Sequence, residues 1–167
     1  MTYPPNGFIP FEGFSMLVAP ICYVFNDPIL LYYVMRKLFM THFHKLTIIS
    51  SDPQCIVGLC ALFETIFQAK DLQLFLHLKR IEVCPLKIVF KWIIRAFSGY
   101  LASSQLLDLW DRLLAYNSLE ILSLFSVGVF LYRKQNLMSV FNQSHVESIL
   151  SDLTSLKTVA ILQLVLL

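Results

Sequence analysis

Apolar residues recur at three- and four-residue spacing over most of the chain, a pattern that places them on one face of a helix. The clearest case is a helical hairpin between Lys91 and Asn117, with Trp92 in its first arm and Trp110 in its second. The first arm carries its apolar stripe on Leu86, Val89, Phe90, Ile93 and Phe97. The second arm carries its stripe on Leu106, Leu107, Trp110, Leu113 and Leu114. The solvent face of the first arm is expected to hold Lys87, Lys91 and Arg95.

Turn and cap signals indicate where the two arms end. Gly99 follows the last periodic residue of the first arm, where a helix end favours a residue that tolerates positive φ. Ser103 or Ser104 then offers a hydroxyl that can cap the second arm. Asp108 and Arg112 stand four residues apart on the polar side of that arm, so we expect them to form an ion pair.

Further helix-start signals divide the rest of the chain. A cap residue precedes proline at Asp27-Pro28 and again at Asp52-Pro53, which predicts two helices. The first is expected to run to about Phe43 and to bury Ile29, Tyr32, Tyr33, Leu38 and Phe39. Shorter helices are predicted over residues 15–25 and 71–80 and from a capping box over residues 144–147.

The segment from residue 117 to residue 133 predicts the central helix of the fold. Asn117 stands at its expected N-cap, Glu120 follows at the third helical position, and the residues after it are apolar on nearly every side. No sustained period-two alternation occurs anywhere in the sequence. The patterns therefore predict one all-α domain over residues 1–167, with about 7–9 helices, an irregular opening loop over 1–13 and an apolar tail over 154–167.

The composition raises a membrane protein as an alternative, which the lengths of the uncharged runs disfavour. The chain is 57% hydrophobic and only 14% charged, with a mean hydropathy of +0.67, whereas soluble domains carry about 25% charged residues. The longest uncharged run, Gly13 to Asn26, has fourteen residues. A spanning helix needs about twenty, so we expect buried core helices and no transmembrane segment. The first residues lack the pattern of a secretory signal.

Charge and motifs exclude several classes of chemistry. The net charge is +2 and the basic residues are dispersed, which argues against nucleic-acid binding. No glycine-rich phosphate loop or catalytic motif occurs, and no cofactor is expected. His42 and His44 lack a second pair of ligands, so we expect no metal site. The cysteines are interpreted as reduced, buried thiols: Cys22, Cys55, Cys60 and Cys84.

Several blocks of the sequence resemble the TBC domain family, the Rab-GTPase-activating fold. One block is Trp92, then Phe97-Ser98, then the leucine-rich stretch from Leu106 to Leu114 with Trp110-Asp111 inside it. Two others are Leu74 to Leu78, which contains His77, and Gly13 to Pro20, which resembles the block after the family's glutamine motif. The likeness covers about residues 9–150. It implies the orthogonal multi-helix architecture of that family, with this chain as its C-terminal portion.

The resemblance also implies a mechanism and identifies one candidate site residue. TBC proteins accelerate GTP hydrolysis in trans by supplying a Rab protein with an arginine and a glutamine. The arginine belongs to an I-x-x-D-x-x-R block, which this sequence lacks, so the resemblance implies a chain truncated before its arginine. The glutamine motif is aromatic-x-Gln-Gly, and aligning its glycine on Gly13 places Glu12 at the glutamine position. An ionised carboxylate only accepts hydrogen bonds, whereas an amide both donates and accepts.

Three functions therefore stay open on the sequence. The first is a Rab-GTPase-activating homologue, itself no enzyme, whose partner holds GTP and Mg²⁺; its truncation predicts an exposed apolar face on the early helices. The second is a helical module that binds a Rab or another trafficking protein without catalysis. The third is a multi-span membrane protein. For Glu12, the alternative to a catalytic role is a loop residue that caps the following helix. The first two functions imply a cytoplasmic protein that reaches endomembranes through its Rab partner.

Overall fold

The computed structural model describes residues 13–50 and 52–166, and those residues form helices and no strand. The prediction of an all-α fold is confirmed. The described residues hold one 3-10 helix, Phe43–Thr47, and ten α-helices: α1 Phe14–Cys22, α2 Pro28–Thr41, α3 Ile56–Lys70, α4 Leu72–Arg80, α5 Pro85–Ile94, α6 Ser103–Tyr116, α7 Glu120–Tyr132, α8 Lys134–Met138, α9 Gln143–Ser151 and α10 Thr158–Leu166. This number exceeds the predicted 7–9, since α8 is a short helix without a cap signal and α10 lies in the predicted apolar tail.

Aspartate caps begin two helices where the sequence predicts them. The Asp27 carboxylate accepts a hydrogen bond from the Ile29 amide at 2.9 Å and caps α2, and the Asp71 carboxylate accepts one from the Leu74 amide at 3.0 Å and caps α4. The Asp52-Pro53 signal lies before the helix that it predicts and does not cap it. The Asp52 carboxylate closes a local turn with the Gln54 amide, and α3 begins only at Ile56.

Four other local predictions around the later helices are wrong. Ala102 holds the cap position of α6, and neither Ser103 nor Ser104 caps it. Asn117 adopts φ 50° and ends α6, so it does not start α7. The capping box over residues 144–147 lies inside α9, whose cap is Asn142. The expected ion pair on α6 is absent as well: the Arg112 guanidinium donates to the Asp108 backbone carbonyl, and the Asp108 carboxylate accepts from Gln105.

α7 is the central helix, as its sequence predicts. Nine of its thirteen residues are buried, and it packs between α3 and α10. Gly128 permits the close approach of α10, because an added Cβ would lie 2.5 Å from the Ile161 side chain. Thr158, the first residue of α10, donates to Gln105 on α6 from both its amide and its hydroxyl. The predicted apolar tail is therefore a packed part of the core.

The first two helices present an exposed apolar face, as predicted. α2 packs mainly on α1 and the 3-10 helix, which cover Leu38 and Phe39 but leave the opposite side open. The prediction that Ile29, Tyr32 and Tyr33 are inward is wrong, since 67%, 59% and 60% of their surfaces are exposed. We call this surface the front face; it comprises Met16, Tyr23, Val24, Ile29, Leu30, Tyr32, Tyr33 and Met40.

Two predictions from the composition concern membrane-spanning helices and the burial of the cysteines. Within the described ranges, no helix combines the length and the apolar character that crossing a membrane requires. All four cysteines are free thiols. Cys55 is buried and Cys60 partly so, whereas Cys22 and Cys84 are exposed, which corrects the prediction that all four are buried.

Candidate functional site

The turn after α5 contains a strained segment, Arg95 to Gly99, which we call the elbow. α5 ends at Ile94, and Ala96 and Phe97 then adopt φ values of 43° and 64° in the left-handed region. Gly99 follows with φ 84°, as its position in the sequence predicts. A non-glycine residue in the left-handed region costs about 1–2 kcal/mol. The elbow therefore depends on neighbouring groups that hold it in this conformation.

Both arms of the tryptophan hairpin hold the elbow. The Phe97 amide donates to the Trp92 carbonyl at 2.8 Å, which ties the elbow back to α5. The buried Trp110 indole donates to the Ala96 carbonyl at 2.9 Å from α6. The Phe97 ring is fully buried and meets the Phe125 ring of α7 edge-to-face, with centroids 4.9 Å apart. The tryptophan and phenylalanine of the quoted sequence block thus fix this turn on the core.

The beginning of α1 rests directly on the elbow. The buried Ser98 hydroxyl donates to the Met16 carbonyl in the first turn of α1. The Met16 sulfur lies where a side chain on Gly99 would stand, 2.7 Å from the position of an added Cβ. Two sequence blocks separated by about eighty residues therefore meet here, because the turn of the hairpin contacts the first turn of α1.

Arg95 joins the same contact from the elbow. An added Cβ on Gly13 would lie 2.8 Å from the Arg95 Nε atom and 3.2 Å from its Cζ atom, so the guanidinium lies against the Gly13 backbone. Gly13 is the N-cap of α1, with φ 90° and no side chain to cap the helix. Arg95 is only partly exposed. The prediction that it meets solvent beside Lys87 and Lys91 is wrong, because Arg95 follows the last turn of α5 and helical periodicity no longer sets its direction.

Glu12, the candidate catalytic residue, lies outside the described residues, and its role stays a prediction. The structure does describe its neighbour Gly13. The cap position of α1 belongs to Gly13, one residue after Glu12.

His77, from another of the quoted blocks, has a structural contact. Its Nε2 atom lies 3.1 Å from the Leu137 carbonyl and 3.0 Å from the Val140 carbonyl, at the end of α8. Carbonyl oxygens only accept, so Nε2 carries the proton and donates to them. Beside it, the Lys134 ammonium pairs with the buried Asp71 carboxylate at 2.6 Å. This block therefore joins α4 to α8.

The remaining polar candidates are two titratable groups and an open groove. The described residues contain no cluster of histidine, cysteine or carboxylate groups that could hold a metal ion. Burial lowers the pKa of His42, and the positive charges of Lys45 and His44 lower it further. Burial raises the pKa of the Cys60 thiol, and the Glu64 carboxylate adds to that increase. An open groove of about 660 Å³ beside α5 includes Cys60, Phe90 and Glu147 but neither Gly13 nor Arg95.

Comparisons with known proteins match the chain to one family. The family model described as the Rab-GTPase-TBC domain matches residues 4–138. The human protein TBC1 domain family member 19 is 52% identical over 164 residues, which is 98% of this chain and 31% of that protein. The chain thus spans about a third of the length of that relative. The family match includes Gly13, the elbow and the whole tryptophan hairpin.

Proposed function

The chain belongs to the Rab-GTPase-TBC domain family, and on that basis we propose that it binds a GTP-loaded Rab GTPase and acts in trans on the hydrolysis of that GTP. The partner holds the nucleotide and Mg²⁺, and this chain contributes only side chains and a docking surface. Its location follows from its partner: the cytoplasmic side of endomembranes, in the regulation of vesicle trafficking.

One observation carries the proposal beyond family membership. Gly13, which we align with the glycine of the family's glutamine motif, and the start of α1 contact the elbow through the Ser98 hydrogen bond and the Met16 and Arg95 side chains. A loop that orients a water molecule in a partner's active site requires such a rigid support, because small displacements of a positioned group lose much of its effect. The tryptophan hairpin supplies that support here.

The carboxylate at position 12 and the lack of the arginine block determine how strongly we expect this chain to accelerate GTP hydrolysis. A carboxylate at position 12 can accept a hydrogen bond from the attacking water, but it cannot donate one to a phosphate oxygen. The sequence contains no I-x-x-D-x-x-R block, and an arginine supplied to the transition state contributes about 10³- to 10⁵-fold in rate. We therefore expect this chain to accelerate hydrolysis far less than a domain with both groups.

A binding module without catalysis is the second candidate. It is favoured by Glu12 at the glutamine position, since an ionised carboxylate near the nucleotide phosphates meets electrostatic repulsion. In this case the chain recognises the GTP-bound Rab and leaves the hydrolysis rate unchanged.

Single-turnover hydrolysis with a panel of GTP-loaded Rab proteins distinguishes the two candidates. We expect at least one Rab to bind the chain in its GTP form and to hydrolyse GTP slightly faster with it. Glu12→Gln should raise the stimulated rate by about tenfold, equivalent to about 1.4 kcal/mol of transition-state stabilisation.

Glu147→Gln is the matched control, because it makes the same chemical change at an exposed position on α9. Binding without acceleration, by both the unchanged chain and Glu12→Gln, would favour the binding module. Failure to bind any GTP-loaded Rab would contradict both candidates.

A further inference from the structure

The open groove beside α5 has the size and the lining of a small-molecule site. Its volume of about 660 Å³ lies within the range of about 300–1,000 Å³ that ligand pockets occupy. Most of its lining comes from α5 and α9, with apolar walls that include Leu86, Phe90 and Leu150. The Phe90 ring leaves 44% of its surface exposed there, so the groove offers apolar area that a ligand can cover.

Trp92, in the α5 wall of this groove, has a hydrogen-bond donor without an acceptor. Trp92 and Trp110 are almost equally buried, with 1% and 2% of their surfaces exposed. The Trp110 indole donates to the Ala96 carbonyl, whereas no acceptor is recorded for the Trp92 indole within the described ranges. A buried tryptophan N–H usually finds an acceptor. Among the described residues, only the Arg133 Nε atom is fully buried without a partner, so the Trp92 Nε1 atom stays in reach of solvent, and Trp92 lines the groove.

Two lysines make the α5 side of the groove positively charged. Lys87 and Lys91 stand four residues apart on α5, and neither forms an ion pair within the described part of the chain. The α9 side carries one carboxylate, Glu147, which accepts a hydrogen bond from the Gln143 amide at 2.9 Å. Two positive charges therefore face one negative charge, which favours a ligand with a single negative charge.

We propose that this groove binds a long-chain carboxylate, a molecule with an apolar chain and one anionic head group. The chain covers the apolar walls, and the head group lies beside Lys91 and accepts a hydrogen bond from the Trp92 indole. A carboxylate only accepts hydrogen bonds and an indole N–H only donates, so each supplies what the other requires. The Glu147 carboxylate disfavours a more highly charged head group such as a phosphate monoester, which carries a charge of about −1.5 to −2.

Titration of the full chain with decanoate, below its micelle concentration and followed by tryptophan fluorescence, tests the site without any Rab partner. Decanoate should bind about tenfold more tightly than octanoate, because two more methylenes leave water. Decanol, which has the same chain and no charge, should bind several-fold more weakly than decanoate. The fluorescence change should be lost in Trp92→Phe and kept in Trp110→Phe, because only Trp92 lines the groove.

Charge variants should change the decanoate affinity in opposite directions. Lys91→Gln and Lys87→Gln should each weaken binding several-fold, whereas Glu147→Gln should tighten it about twofold to threefold. All three side chains are exposed, so we expect the variants to fold as the unchanged chain does. Lys79→Gln, at an exposed lysine in the last turn of α4, is the matched control and should leave the affinity unchanged.

The cysteines provide a second measurement that does not depend on fluorescence. Cys60 lines the groove from α3, whereas the exposed Cys84 does not line it. Bound decanoate should slow the alkylation of Cys60 by N-ethylmaleimide and leave that of Cys84 unchanged, as measured by mass spectrometry of the peptides.

Three outcomes would overturn the inference. Equal affinities for octanoate, decanoate and decanol would show that neither the chain nor the charge is recognised. Unchanged alkylation of Cys60, with a fluorescence change that persists in Trp92→Phe, would place decanoate outside the groove. Binding to vesicles of phosphatidylserine and phosphatidylcholine without binding to monomeric decanoate would assign the lysines to a membrane surface.

Discussion

α7 and α2 are both rich in apolar residues, yet one is enclosed and the other is largely open on one side. α7 lies between α3 and α10, and its Phe130 ring meets Phe63, Phe67 and Trp92 at centroid distances of 5.0 to 5.8 Å. α2 has α1 and the 3-10 helix as its main neighbours, and its side chains form much of the front face. Apolar character alone thus does not identify a core helix, because burial depends on which elements surround it.

The elbow marks the junction between the two regions. Its Phe97 ring belongs to the core around α7, while Ser98 and Arg95 reach α1. The core gives the fold its stability, and we expect the front face to carry recognition. Damage to the core should therefore unfold the chain, whereas equal damage to the front face should leave it folded.

The largest expected effect is the loss of a ring from the core. Phe130→Ala removes a fully buried side chain that contacts three other aromatic rings, so we expect a loss of about 3–5 kcal/mol in the free energy of unfolding. For a chain of this size, Tm should fall by about 10 °C or more. Thermal and urea unfolding followed by circular dichroism measure both quantities.

Tyr33→Ala is the matched change on the front face. Its ring is mostly exposed and its recorded aromatic contact is with the neighbouring Tyr32, so we expect a cost below about 0.5 kcal/mol. A cost for Tyr33→Ala as large as that for Phe130→Ala would mean that the front face is covered in the folded protein, and the contrast between the two regions would fail.

A smaller effect is expected at the junction. Trp110→Phe keeps most of the ring but removes the indole N–H, which leaves the buried Ala96 carbonyl without its recorded donor. An unsatisfied buried acceptor costs about 1–3 kcal/mol. Urea unfolding should show this loss, and hydrogen exchange should show faster exchange of the elbow amides than of the amides in α7.

Ser123→Ala is the control within the core. The Ser123 hydroxyl donates to the Leu59 carbonyl at 2.8 Å, but that carbonyl lies inside α3 and also accepts the helical hydrogen bond. Removing the Ser123 hydroxyl should therefore lower the free energy of unfolding less than removing the Trp110 donor does. Equal losses in the free energy of unfolding for the two variants would indicate that the Trp110 hydrogen bond contributes no more than an ordinary buried hydrogen bond.

The sequence predicts the features that depend on neighbouring residues and misses those that depend on distant ones. Asp27 caps α2 as predicted, because a cap needs only the next three residues. The central position of α7 follows from its nearly uniform apolar surface. The exposure of Ile29 and Tyr33 could not be deduced from periodicity, because a helix has an apolar face whether or not another element covers it.

The candidate site divides in the same way. Trp92, Trp110 and Gly99 are evident in the sequence as parts of the hairpin, and Gly13 begins another of the blocks that resemble the family. Arg95 was missed because its direction is set by the left-handed turn at Ala96 and Phe97, and neither residue type favours positive φ. The only hint in the sequence is Gly99, two residues after Phe97. This glycine indicates a tight turn but does not indicate where the turn begins.

The smallest effect we expect is a pH dependence of stability through His42, which lies at the end of α2. Burial of this imidazole and the charges of Lys45 and His44 hold its pKa below the ordinary value of 6.5. Below pH 6.5 the unfolded chain therefore binds a proton that the folded chain resists, and ∂ΔG of unfolding with respect to pH is positive. The stabilisation of the neutral form is present above pH 6.5 and is lost as the pH falls through the lowered folded pKa.

His42→Gln should consequently reduce the loss of stability between pH 7.5 and pH 5.5, with Tm followed across that range. His145→Gln, at an exposed position on α9, is the control. The response to mild acid would then come in part from His42, because Lys45 and His44, which act on it, are positively charged and disfavour its protonation. An unchanged dependence of Tm on pH in His42→Gln would mean that the acid sensitivity comes from other groups, and the contrast between the front face and the core would be limited to exposure.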